Sequence, residues 1–145
     1  MSLPSKVQVE ADLFFSYLTG DDLSSHSEKV VLAAGRGETE LYVCSEVYDE
    51  IASALRSGGS SIDNAILFLN AMRKIPHNPM LVTVELAHDA LQLYRTYGGP
   101  RRLHYFDSFH VATARKYQLP LITSDEFIIE HEEEFSMKVT DLRRI

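Results

Sequence analysis

A chain with a single cysteine cannot form an internal disulfide, and Cys44, set in the apolar run Leu41-Tyr42-Val43-Cys44, reads as a buried, inert thiol suited to a reducing compartment. No apolar run approaches the ~18 residues that a membrane span needs. Residues 1–10 lack the apolar segment of a signal peptide, so the expectation is a cytoplasmic protein with no membrane partner. There is no Cys/His spacing of the kind that holds zinc, no internal repeat and no low-complexity stretch. Basic residues are also scarce. Fourteen against twenty-one acids give a net charge of -7, which at first argues against a nucleic-acid partner. That deficit is unevenly spread. Between Arg95 and Lys116 the acid Asp107 stands alone among Arg95, Arg101, Arg102, Arg115 and Lys116, while Glu130, Glu132, Glu133 and Glu134 crowd a solvated face near the C-terminus.

What is present is enough for one domain with one core: 45% hydrophobic and 24% charged residues over 145 positions. Strands are predicted at Val7–Ala11, Glu40–Cys44, Leu119–Thr123 and Lys138–Thr140, and either a strand or an extended connection at Met80–Val84. Helices are predicted at Leu13–Leu18, stopped by Gly20, then at Asp22–Ala34, from a Ser45 cap to Arg56, at Ile62–Lys74, Glu85–Tyr97 and Ser108–Tyr117. Strands that alternate with helices of this length indicate a mostly parallel sheet covered on both faces, because a parallel crossover needs a helix to carry the chain back. The fold class is therefore α/β, a three-layer sandwich, over residues 1–145 as a single domain.

In such sheets ligands gather beyond the carboxyl ends of the strands, near the point where strand order reverses. Asp12 follows the first strand, Asp125 follows the fourth after Ser124, and Asp107 opens the helix that leads into that fourth strand. A fourth carboxylate comes from the helix after Cys44. Its apolar stripe is Val47, Ile51, Ala54 and Leu55; Glu50 lies about 85° from the stripe centre, Glu46 about 125°, and Asp49 nearly opposite. Glu50 is the choice, with Glu46 as the substitute one turn earlier. Singly, each Asp reads first as a helix cap, and Glu50 as a boundary residue reaching water. Together they place four like charges at one sheet edge, which require cations or protons to coexist, and hard oxygen ligands suit Mg²⁺ or Mn²⁺.

The segments Val9-Glu10-Ala11-Asp12, Glu50-Ile51-Ala52, Asp107-Ser-Phe-His-Val-Ala-Thr-Ala and Thr123-Ser124-Asp125 resemble the PIN domain family, and within it the VapC-type toxin ribonucleases. The resemblance spans nearly the whole chain. It implies that Asp12, Glu50, Asp107 and Asp125 hold one or two divalent ions and carry catalysis, with Asp12 and Asp107 in direct contact with metal and Ser124 as the hydroxyl residue beside the last acid. It implies an endoribonuclease of single-stranded or looped RNA that uses water as nucleophile and leaves a 5′-phosphate and a 3′-hydroxyl. It implies further a homodimer and, for a toxin, a separate antitoxin chain; a neighbouring reading frame for a small DNA-binding protein would separate that role from solitary, housekeeping RNA processing. Phe14 stands where many members have a polar residue two places after the first acid, which keeps open a catalytically weak module that binds RNA or protein as a scaffold.

Other residues carry weaker readings. Arg101 and Arg102 are candidate phosphate contacts or plain surface charge. Tyr105 and Phe106 are base-stacking candidates or core, and His104 and His110, flanking Asp107, are read as ordinary buried or solvent histidines. Phe14, Phe15, Tyr17 and Leu18 are core with a surplus apolar patch for a partner. A phosphoryl-transfer hydrolase or a receiver domain is disfavoured, because Glu10-Ala11-Asp12-Leu13 lacks an Asp-x-Asp and no adjacent acid pair follows the strand.

Overall fold

A computed structural model describes residues 2–145. Among the described residues five strands form one all-parallel sheet in the order β3-β2-β1-β4-β5: β1 (Lys6–Val9), β2 (Glu40–Cys44), β3 (Asn78–Met80), β4 (Leu121–Thr123) and β5 (Val139–Asp141). Seven α-helices accompany them: α1 (Ala11–Thr19), α2 (Ser24–Gly35), α3 (Glu46–Ser57), α4 (Ile62–Arg73), α5 (Val84–Tyr97), α6 (Tyr105–Tyr117) and α7 (Glu126–Glu130). The three-layer α/β expectation holds, with the sheet wholly rather than mostly parallel. Chain order reverses between β1 and β4, which lie side by side, with Gln8 opposite Leu121 and Val9 opposite Ile122. The crevice above these two strand ends is where the fold favours a ligand.

Two apolar clusters sandwich the sheet. Val7 and Val9 of β1, with Leu41 and Val43, pack against Leu13 and Phe14 of α1, Val30 of α2 and Val47 and Ile51 of α3. On the other face Cys44 and Leu121 meet Leu86, Ala90 and Leu93 of α5, Phe109, Val111 and Ala112 of α6, and Ile128 and Phe135. Cys44 is fully buried, and burial pushes its thiol pKa up, as suits an inert side chain. The buried residues here that do not join the first cluster are Gln8 of β1 and Glu10, just past its end. Gln8 Nε2 donates to the backbone carbonyl of His110 at 2.9 Å, so these polar groups share the α6 side.

Several element boundaries differ from the sequence reading, each for a physical reason. The third strand includes Pro79 and ends at Met80, earlier than predicted; it is an edge strand, where a missing N–H is tolerated. Ser45 does not cap α3. Its backbone is already helical, and its Oγ accepts from Val82 N at 3.0 Å, tying the start of α3 to the segment after β3. Helix α1 begins at Ala11 and α6 at Tyr105, so Asp12 and Asp107 lie inside first turns instead of preceding them. Phe14 is fully buried, and Phe15, Tyr17 and Leu18 are partly so; the most exposed large apolar residues are Leu67, Leu81 and Val84, with Ile62 and Ile66 beside Leu67 on α4. No helix among the described residues is long and apolar enough to cross a membrane.

Candidate active site

The local sequence turns each acid toward the crevice by a different route. Glu10 takes the cap position of α1 with extended backbone, yet its carboxylate makes no capping bond. It lines an open cleft of about 610 Å³ together with Asp12, Glu50, Asp107 and Asp125. Asp12, two residues on, is held by Ser124, whose N–H and Oγ both donate to Asp12 Oδ2 at 2.7 Å. Asp125 does cap α7, its Oδ1 accepting from Ile128 N at 2.9 Å. The capping reading of this residue and its place in the cleft are compatible, because a carboxylate has a second oxygen. Asp107 is buried in the first turn of α6, where the positive end of the helix dipole favours a carboxylate.

Glu50 reaches the same cleft from α3, while Glu46 is not among the lining residues. His110, one turn along α6 from Asp107, is fully buried and places Nε2 2.7 Å from Glu50 Oε1. His104 Nδ1 stands 3.2 Å from Asp107 Oδ2, and one ligand atom each from His104, Asp107 and Asp125 lie within 4.8 Å of one another.

The electrostatics are those of crowded like charges. Burial, and then the charges of Asp12, Asp107, Glu50 and Asp125, hold the Glu10 carboxyl well above the usual carboxylate range. Asp12 is also raised, by burial, against the lowering by its Ser124 bonds. Asp107 is pushed up to about 6: burial, with Asp125 and Glu50 adding to it, outweighs His110 and His104. For His110 burial alone would favour the neutral ring, but the Glu50 hydrogen bond and the charges of Glu50, Asp107 and Asp12 carry its pKa above the ordinary value. Glu10 Oε2, Asp12 Oδ1 and His110 Nδ1 are buried with no hydrogen-bond partner. Orphaned carboxylate oxygens in such a place are costly unless a proton or a cation meets them.

A model of the PIN domain family matches residues 9–133. The chain belongs to the PIN domain family. No curated protein matches it in sequence. Among solved structures it is similar to a toxin-antitoxin complex from Klebsiella pneumoniae, at 12% identity over 94% of this chain and 97% of that one, with a TM-score of 0.61. It is similar to VapBC2 from Rickettsia felis, described as bound to a DNA fragment from its promoter, at 11% identity, 93% and 97% coverage and a TM-score of 0.65. VapC20 of Mycobacterium tuberculosis, described as a Sarcin-Ricin loop cleaving toxin, aligns at 13% identity, 86% and 94% coverage and a TM-score of 0.66. At these identities the likeness establishes the shared fold.

In this PIN domain the four acids singled out in the sequence, Asp12, Glu50, Asp107 and Asp125, all line one cleft, with Ser124, Arg101 and Arg102 on the same walls. The arginines come from a tight loop: a Cβ on Gly98 would stand 2.6 Å from the Tyr94 ring, and Arg101 adopts a left-handed φ of 60°. Arg102 places its guanidinium 5.9 Å from the Phe127 ring centroid. Tyr105 is exposed and packs on Tyr94 and Phe109, on the α5 side and not among the cleft residues.

Sequence reasoning missed Glu10 and the part played by His110. A signal for Glu10 was present. A central parallel strand buried on both faces ordinarily reads as an unbroken apolar run, and Gln8 and Glu10 interrupt this one at a spacing of two. Counted from Glu10, the polar residue two positions on is Asp12 itself, and Phe14 belongs to the core, edge-on to His77 at 5.4 Å. For His110 the signal was its i+3 spacing from Asp107, which places both on one helix face.

Proposed function

We propose that this PIN domain is a divalent-metal-dependent endoribonuclease that hydrolyses phosphodiester bonds of single-stranded or looped RNA, acting as the toxin of a toxin–antitoxin pair. One observation carries the reading: six carboxylates, from Glu10, Asp12, Glu50, Asp107, Asp125 and Glu126, line a single cleft above the switch point of the sheet. The donor set fits Mg²⁺ or Mn²⁺, since it is rich in hard oxygen and leaves Glu10 Oε2 and Asp12 Oδ1 buried without partners. Asp12, Glu50, Asp107 and Asp125 would hold the ion or ions, with Glu10 beside them. When bound, such an ion lowers the pKa of a coordinated water and offsets charge on the phosphate and the leaving oxygen.

The remaining work falls to the chain's own residues. Ser124 fixes Asp12 by one of its oxygens, and His110 fixes Glu50 by one of its own, so the acids are oriented before substrate arrives. Asp125 is anchored at the start of α7. Arg101 and Arg102, on the rim of an otherwise acidic cleft, would engage RNA phosphates on either side of the scissile bond. The toxin role is supported by fold neighbours described as a toxin-antitoxin complex and as a Sarcin-Ricin loop cleaving toxin, and by the exposed apolar residues Ile62, Ile66 and Leu67 on α4, a surface for a second subunit or an antitoxin chain.

The test is cleavage of single-stranded and hairpin RNA by protein stripped with EDTA and reloaded with Mg²⁺ or Mn²⁺, with the product ends mapped. Asp107→Asn should lose more than about 100-fold, beyond the range typical of outer-shell changes. If no RNA is cut with either metal, or if Asp107→Asn cuts as fast as the native chain, the proposal fails and a binding module takes its place.

A further inference from the structure

We propose that His104 supplies a nitrogen ligand to the ion of this cleft, so that the site favours a first-row transition ion such as Mn²⁺ over Mg²⁺. The inference rests on the metal site of the nuclease reading and adds the class of ion. His104 Nδ1 is 3.2 Å from Asp107 Oδ2, and the ligand atoms of His104, Asp107 and Asp125 all lie within 4.8 Å of one another. Neighbouring ligands on a six-coordinate ion with bonds near 2.1 Å stand about 3 Å apart, and opposite ones about 4 Å. The 3.2 Å pair of His104 and Asp107 therefore has the spacing of adjoining positions around one ion, and Asp125 stands close enough to join them with a small side-chain adjustment.

The backbone prepares this arrangement. His104 is the N-cap of α6 with extended φ and ψ of -79° and 162°, but its side chain makes no capping bond and lies against Asp107 instead. Just before it, fully buried Leu103 donates its N–H to Tyr97 O at 3.2 Å, which anchors the approach to the helix. An independent observation points to a cation in the same cleft: Glu10, 5% exposed, leaves Oε2 buried without a partner among the lining acids. The nitrogen decides the preference. Mg²⁺ sheds water reluctantly and binds imidazole poorly, whereas first-row transition ions accept mixed nitrogen and oxygen sets. Were His104 no more than a hydrogen-bond partner of Asp107, the ion would see oxygen alone.

The experiment uses the full chain stripped of metal, with Mn²⁺ and Mg²⁺ titrated calorimetrically into the native protein and into His104→Ala. Electron spin-echo spectra are recorded on the Mn²⁺ forms, with and without ¹⁵N-labelled histidine. The expected result is histidine nitrogen modulation in the native protein, lost in His104→Ala, with Mn²⁺ affinity falling about 10-fold or more and Mg²⁺ affinity changing less than about 2-fold. Because the His104 side chain is 66% exposed, the variant should keep its fold, which a thermal melt checks. Mn²⁺ binding without nitrogen modulation, or an equal loss for both ions, overturns the inference while leaving the nuclease reading intact. If neither ion binds the native protein, both fall together.

Discussion

His110 Nε2 and Glu50 Oε1 meet at 2.7 Å, joining α6 to α3 through an imidazole with no exposed surface. A carboxylate accepts, so Nε2 carries the proton in this contact, and the ring acts as a fixed donor that leaves the second oxygen of Glu50 for the cleft. Replacing His110 by Phe keeps an aromatic ring but removes the donor. Metal affinity and RNA cleavage should then fall by about 10–100-fold, as when an outer-shell partner is lost. The melting temperature at neutral pH should fall as well, because Glu50 is left without its partner. His110→Gln, which can present a donor in nearly the same place, should recover most of the metal affinity. Calorimetry of Mn²⁺ binding is the discriminating readout: equal affinity in His110→Phe and the native chain would mean that the contact only supports the fold.

The raised acids make the metal-free protein sensitive to pH in a definite direction. Asp107 titrates near 6 when folded against 3.8 in an unfolded chain. Between those values the native state binds more protons than the unfolded one, so this contribution to stability is present at low pH and is lost as pH rises through about 6. Glu10, Asp12 and His110 are all shifted upward and act in the same sense. Metal-free protein should accordingly melt at a higher temperature at pH 5 than at pH 7.5. Saturating Mn²⁺ should reverse the order, because the ion binds the deprotonated acids. At subsaturating metal, cleavage should decline as pH falls, because protons compete with the ion for these acids. In Asp107→Asn the metal-free difference between the two pH values should shrink; an unchanged difference would assign it to other groups.

Ser124 donates twice to Asp12 Oδ2, once from its backbone and once from its hydroxyl. Ser124→Ala removes the second bond and keeps the first. A hydrogen bond to a charged group contributes about 1.5–3 kcal/mol, but the surviving N–H retains the geometry, so the loss should sit at the low end, about 10-fold in kcat. Asp12→Asn should cost much more. If Ser124→Ala raises KM alone, the hydroxyl contacts substrate and not Asp12.

The architecture was legible because its signals are local and periodic. Alternating apolar segments broken by Gly20, Gly35, Gly58 and Gly98 give the order of elements, and the helical spacing of Val47, Ile51, Ala54 and Leu55 is enough to prefer Glu50 to Glu46 at the cleft. The less legible features depend on contacts distant in sequence. Ser45 precedes a helix and resembles a cap, yet its hydroxyl serves Val82, 37 residues away. His110 looks ordinary until Glu50, 60 residues earlier, is brought against it. Glu10 was passed over because Asp12 lies so near, and the strand ends one residue before Glu10, which reassigns both acids to the start of α1.

Arg101 and Arg102 lead to a prediction about binding that is separable from catalysis. The chain is acidic overall, so its attraction for RNA must come from local charge, and these two arginines share the cleft with six carboxylates. Each phosphate contact to a single strand contributes about 0.7 to the slope of log K against log salt. Arg101→Ala should weaken RNA binding to all sequences alike and reduce the slope by about that amount. Arg102 is more constrained, with its Nη2 donating to Thr96 O at 3.4 Å and its guanidinium over Phe127. Lys at this position retains the charge but loses the planar fork that allows both contacts. Arg102→Lys should therefore preserve the salt slope while lowering affinity, and Arg102→Ala should reduce both. Measurements on the cleavage-deficient Asp107→Asn background, across several salt concentrations, isolate binding from turnover. A salt slope unaffected by either alanine substitution would place the RNA path elsewhere on the molecule.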